Sequence, residues 1–74
     1  MKVVMTGWRP GLKKVSLYGL LRVRLNVSLP VAKKYGDDLL DGEVIELQID
    51  PGSASDFAKE LDALGVICHI EPEE

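Results

Sequence analysis

Residues 44–70 read VIELQIDPGSASDFAKELDALGVICHI, and this stretch decides the fold. From Val44 to Ile49 apolar and polar residues alternate, which predicts a half-buried strand. Ile45, Leu47 and Ile49 would face the core, with Glu46 and Gln48 in water. Asp50-Pro51-Gly52 then turns the chain. Phe57, Leu61 and Leu64 recur at i, i+4 and i+7, with Ala54 and Ala58 beside them, which predicts a helix over 54–64. Ser53 or Ser55 would cap it, Asp56 suits the positive end of its dipole, and Gly65 would end it. Val66-Ile67-Cys68-His69-Ile70 is a second strand, with Cys68 on the inward parity of Val66 and Ile70. A strand, a helix and a strand make a βαβ unit, whose crossover is right-handed. A split unit leaves room for one strand between its two.

The strand that fills the gap lies at the other end of the chain. Lys2-Val3-Val4-Met5-Thr6 is apolar on both parities, as suits a central strand. It would run antiparallel to both neighbours. Gly7-Trp8-Arg9-Pro10-Gly11 punctuates the chain as a loop. LKKVSLYGLLRVRLN, residues 12–26, follows, with a helix expected over 13–24. Asn26 tolerates the left-handed conformation of a helix end. Ser28 would cap the next helix, Pro30 fits its first turn, and the helix would run from Leu29 to Tyr35 and stop at Gly36. Asp37-Asp38-Leu39-Leu40-Asp41-Gly42 reads as a loop, and Glu71 to Glu74 as a frayed acidic tail. The expected class is α+β in the order β-α-α-β-α-β, a three-stranded antiparallel sheet with three helices on one face.

Composition fits one small domain over residues 1–74, with 46% hydrophobic residues. A chain of this length buries only about 60% of its unfolded surface. There is no run of about 18 apolar residues to cross a membrane. The opening MKVVMTGW is too short and polar for a signal peptide, and Cys68 has no cysteine to pair with, so the cytoplasm is the expected location. Net charge is -3, but unevenly laid out. Residues 1–36 carry eight basic side chains and no acidic one; residues 37–74 carry twelve acidic side chains and only Lys59. The halves are thus +8 and -11, which sum to the net -3. Such a layout predicts a dipolar surface.

Two apolar stripes run along the first helix. Leu17, Leu20 and Leu21 form one; Val15, Tyr18 and Gly19, ending in Arg22, form the other. A helix of a small domain buries one stripe, so the second is a candidate docking face. Tyr18 beside Arg22 has the character of an interface anchor, or equally of a tyrosine at the edge of the core with its hydroxyl in water. Gly19 costs about 1 kcal/mol in a helix relative to alanine, a cost explained by a close approach of backbone to the second helix or to a partner, with the resemblance described below favouring the partner.

Trp8, an aromatic in a loop, is a second candidate anchor, or else the lid on one end of the core. Arg22, Arg24, Lys33 and Lys34 cluster where a phosphate would also be attracted, but the acidic half repels a long polyanion and no nucleic-acid motif is present. Cys68 and His69 are neighbours on a strand and point to opposite faces, so no metal site is expected. No catalytic triad, phosphate loop or carboxylate dyad can be assembled, so neither catalysis nor a cofactor is expected.

The wording of the first two helices resembles the C-terminal domain of the bacterial ribosomal stalk protein. The residues carrying it are Lys14-Val15-Ser16-Leu17-Tyr18-Gly19-Leu20-Leu21-Arg22, then Asn26-Val27-Ser28-Leu29 and Ala32-Lys33, at the family's spacing. Val3-Val4-Met5-Thr6-Gly7 and Ala63-Leu64-Gly65-Val66 extend the resemblance over nearly the whole chain. It implies a stand-alone relative, with the fold also found in the Clp-protease adaptor domain. It also implies a non-catalytic module that captures translational GTPases through the outward face of its helical hairpin. Position by position that face falls on Val15, Tyr18, Gly19, Arg22, Ser28, Pro30 and Lys33. Gly19 and Pro30 stand where the family usually has lysine, so the resemblance implies a kept face with a changed target.

The expected function is therefore docking of an acidic protein partner on the basic hairpin. An alternative is a toxin-neutralising immunity or antitoxin protein working through its acidic half, with Asp37, Asp38 and Asp41 in front. Nucleic-acid binding is a further alternative. Self-association of the basic half with the acidic half of another copy is also allowed.

Overall fold

The computed structural model describes residues 1–72. Its elements are β1 (Lys2–Trp8), α1 (Lys14–Leu25), α2 (Leu29–Leu40), β2 (Ile45–Gln48), α3 (Pro51–Leu64) and β3 (Val66–Glu71). The sheet order is β2-β1-β3, and β1 is antiparallel to both neighbours. This is the α+β arrangement expected from the sequence. Val3, Val4 and Met5 are all buried, as a strand with neighbours on both edges and apolar residues on both parities requires.

The two faces of the sheet differ. Val3 and Met5 of β1, Ile45 and Leu47 of β2, and Val66 of β3 join Leu17, Leu21, Ala32, Leu39, Ala54, Phe57 and Leu61 in one core. Burying each large side chain of this set contributes about 1.5–3 kcal/mol. Cys68 and Ile70 pack against the same core, as their parity predicts. No helix covers the other face. There Val4 lies opposite Glu46 and His69, flanked by a Lys2–Glu46 ion pair of 2.9 Å and a His69–Glu71 pair of 2.7 Å. The stems of such long side chains shield an apolar neighbour, so Val4 is dry without a helix over it.

Over the core face, α2 lies against β1 and β2, α3 lies against β3, and α1 packs between the two helices. Asn26 ends α1 in the left-handed conformation (φ 54°, ψ 48°), and Gly65 ends α3 at φ 104°. The segment between β1 and α1 crosses the end of α3. Arg9 N–H donates to the Gly65 carbonyl at 2.8 Å and Lys13 N–H to the Leu64 carbonyl at 3.1 Å, while Arg9 pairs with Asp62 at 3.1 Å.

Several boundaries differ from expectation. β1 continues through Gly7 to Trp8, because a bulge between Met5 and Gly7 absorbs one residue and pairing with β3 resumes. Trp8 is therefore a strand end rather than a loop residue. α2 does not stop at Gly36 but runs a further turn to Leu40, so Asp37 and Asp38 are helical and only Asp41 lies at the end, as C-cap. α3 starts at Pro51 with Asp50 as N-cap, which puts Ser53 and Ser55 inside the helix. Proline suits a first helical position because its missing N–H would have no partner there. Ser28 occupies the N-cap of α2, with Pro30 in the first turn, but its side chain makes no capping bond. Glu71 belongs to β3; Glu73 and Glu74 of the expected tail lie outside the described residues.

Candidate functional site

The two stripes of α1 separate as the sequence suggests. Leu17 and Leu21 are fully buried, and Leu20 and Leu25 pack against the core. On the opposite side Val15 is 82% exposed and Val23 is 77% exposed. Gly19 lies between them, with nothing within 4 Å of the place a side chain would take. Residues at i, i+4 and i+8 share a helix face, so Val15, Gly19 and Val23 form one outward line. Val23 was not among the expected contact residues, although its spacing from Val15 would have found it. Arg22, exposed, borders the same line.

Tyr18 belongs to the seam between α1 and α2 rather than to the outward line. Its ring lies over the bare backbone of Gly36, and its hydroxyl donates to Asp37 Oδ1 at 2.7 Å. That hydrogen bond, aided by burial and by the carboxylate's charge, pushes the Tyr18 phenol above its ordinary value of 10.0. Tyr18 thus sets the level at which the antiparallel helices meet. One turn further along α1 comes Arg22; one turn back along α2 comes Lys33. Both cations are exposed. Exposed Leu29, Pro30 and Val31 continue the surface toward the start of α2, where Ser28 is also exposed.

The ion pairs sort the cations. Lys2 pairs with Glu46, Arg9 with Asp62, Arg24 with Glu60 and Lys34 with Asp38. All four join the basic half of the chain to the acidic half, the first three between residues far apart in sequence. Among the described residues Lys13, Lys14, Arg22, Lys33 and Lys59 have no carboxylate within 4.0 Å. Four of these five lie on or just before the hairpin. Lys13 and Lys14 sit at the start of α1, the positive end of its dipole, where each cation costs about 0.3–1 kcal/mol at low salt. Free cations and bare valines therefore share one surface.

The other candidates lie elsewhere. Trp8 is 42% exposed at the C-terminal end of β1, opposite Val66. Asp37 and Asp38 are held by Tyr18 and Lys34, which leaves Asp41, exposed like Asp37, as the acid of that trio with no such partner among the described residues. Cys68 is half-buried, its Sγ 3.7 Å from the Ala58 carbonyl oxygen, and burial pushes its thiol up. His69 is on the opposite, open face beside Glu71. Among the described residues no three His, Cys, Asp or Glu side chains converge on a point, and no helix is long and apolar enough to cross a membrane.

The cost of Gly19 can be measured. Nothing in the fold needs a glycine there, so Gly19→Ala should stabilise the domain by about 1 kcal/mol, the difference in helix propensity. For a domain of this size that raises the melting temperature by about 4–8 °C. A scanning-calorimetry melt no higher than that of the parent would show that Gly19 has an internal role.

Comparison of the chain with models of known protein families, with curated proteins and with solved structures finds no match.

Proposed function

We propose that this domain is a non-catalytic docking module that binds an acidic, partly apolar protein surface on the outward face of its α1–α2 hairpin. One observation carries the reading. The fold neutralises Lys2, Arg9, Arg24 and Lys34 but leaves the cations around Val15, Gly19 and Val23 without partners. A partner carboxylate between Arg22 and Lys33 would form charge-assisted bonds, and its apolar neighbours would cover the valines. The bare backbone at Gly19 lets the partner approach to a distance that a side chain would forbid. The resemblance to the stalk domain supports the same face, while Gly19 and Pro30 in place of lysine point to a target other than that family's.

Electrostatic docking implies association that is faster at low salt and weaker as salt rises. The test is affinity capture from native lysate with the parent chain, with the double reversal Arg22→Glu plus Lys33→Glu, and with Lys59→Glu. Lys59 is an unpaired cation on α3, away from the hairpin, so it controls for net charge. The expected result is a captured protein lost with the hairpin reversal, retained with Lys59→Glu and eluted by salt. Capture unchanged by the hairpin reversal would reject the docking face.

A further inference from the structure

We propose that β3 is the joint of a homodimer, in which two copies pair their free β3 edges antiparallel about a two-fold axis at Cys68 and so build one six-stranded sheet. The argument begins with the phase of the backbone hydrogen bonds. Ile49 N–H donates to the Met1 carbonyl at 2.9 Å, and the Met1 amino group donates back to the Ile49 carbonyl at 3.1 Å. Reciprocal bonds alternate along an antiparallel pair, so Val3 and Met5 also direct their backbone groups to β2. Lys2 and Val4 then direct theirs to β3, where they meet Glu71 and His69. The residues between, Cys68 and Ile70, must point their N–H and C=O groups away from β1. No bond outside the ladder takes up these four groups among the described residues.

A free edge is normally protected, and the two here differ: β3 has only its mutually paired His69 and Glu71 on the open face. β2 is four residues long, carries Glu46 on its exposed face and runs within two residues into Pro51. β3 is six residues long, VICHIE, with no lysine or proline inside it. The bulge that could twist an edge away lies on the β1 side of the pairing. Beside the edge, Ala58 overlies Cys68 and offers no long side chain to block an approach.

The strand is complementary to itself in one register. With Cys68 opposite Cys68, Val66 falls opposite Ile70 on the core side, and Ile67 opposite His69 on the open side. Every outward N–H then meets an outward C=O, apolar faces apolar, and no two like charges are opposed. A slip of two residues in one direction puts Pro72, which has no N–H, opposite Val66. A slip in the other direction runs the strand into Leu64, the last residue of α3. The pairing also covers Ile67, which is 44% exposed in the single chain. α2 stands over β1 and β2, so the hairpins stay on the outer flanks. Such a dimer presents two docking faces at once, and a partner with two acidic sites would be held with added avidity.

The test uses the full 74-residue chain, with sedimentation equilibrium under reducing conditions from about 10 μM to about 1 mM, the range in which weak dimers form. In a directly opposed, hydrogen-bonded antiparallel pair the Cα atoms lie about 5.5 Å apart, so a small movement at the joint brings the two thiols to bonding distance. Copper–phenanthroline then serves as a probe. It takes two electrons from the two Cys68 thiols, which release two protons and form one S–S bond. The expected result is a concentration-dependent dimer that this reagent locks covalently. Ile67→Lys puts a charge on the exposed face of the edge and should leave a folded monomer with the parent's far-ultraviolet circular dichroism and little crosslinking. A chain that stays monomeric at 1 mM, or a dimer that persists in Ile67→Lys without a Cys68 crosslink, overturns the proposal. A dimer dissolved by Arg22→Glu overturns it as well, because that contact would join basic to acidic surfaces instead.

Discussion

Replacing Gly65 with alanine should lower the stability of this domain by about 2–3 kcal/mol, and its melting temperature by roughly 10–20 °C. Two costs combine. Gly65 ends α3 at φ 104°, a left-handed conformation that is costly for an L side chain. A Cβ there would also sit 3.1 Å from the Cα and 3.5 Å from the N of Leu12, and these are backbone atoms that cannot swing aside. They are fixed because the chain around Leu12 is bonded to the end of α3 through Arg9 and Lys13. The comparison that isolates the contact is Gly42→Ala. Gly42 has φ 94° but open space around it, so only the conformational cost applies. Thermal unfolding of both variants should show Gly65→Ala falling clearly further. Equal losses would mean that the crossing of α3 by the β1–α1 segment contributes nothing beyond the turn itself.

The second large effect changes sign with background. A Cβ on Gly36 would overlap Tyr18 Cε1 and lie 2.9 Å from Cδ1. Gly36→Ala gains about 1 kcal/mol in helix propensity, but it lifts the tyrosine ring and breaks its bond to Asp37. The net expectation is a loss of about 1–2 kcal/mol, since the ring's burial and a hydrogen bond to a carboxylate go together. In a Tyr18→Ala background the ring is absent, and the same substitution should stabilise by about 1 kcal/mol. The coupling in this double-mutant cycle is thus about 2–3 kcal/mol, near the upper end for touching residues. Urea denaturation of the four proteins measures it. Additive effects would show that the ring does not rest on Gly36.

These two glycines also show what was legible in the sequence. Gly65 follows a periodic helix and precedes an apolar run, and a local rule suffices to read it. The same holds for the alternation around Leu47, the line Phe57-Leu61-Leu64 and the left-handed Asn26. Gly36 misled because its role is set by Tyr18, eighteen residues away in sequence. Asp37 and Asp38 looked like a loop for the same reason: one is fixed by Tyr18, although the Lys34–Asp38 spacing of four was a helical signal in plain view. Pro51 was read as a turn when its place before an amphipathic run also marks a helix start. In the candidate site, Val15, Gly19 and Arg22 were found from the second stripe of α1. Which cations stay unpaired was not legible, because Arg9 and Arg24 meet their acids only through the tertiary fold.

The cross-pairing of the two halves has a consequence for how the chain folds. Along these residues eight cations precede the first carboxylate, Asp37. Lys2 then waits for Glu46, Arg9 for Asp62 and Arg24 for Glu60. β1 is the middle strand, and it has both neighbours only once Val66–Glu71 is in place. The middle strand and its ion pairs thus rest on partners distant in sequence, and such non-local pairing makes folding slower than in a helical bundle of the same length.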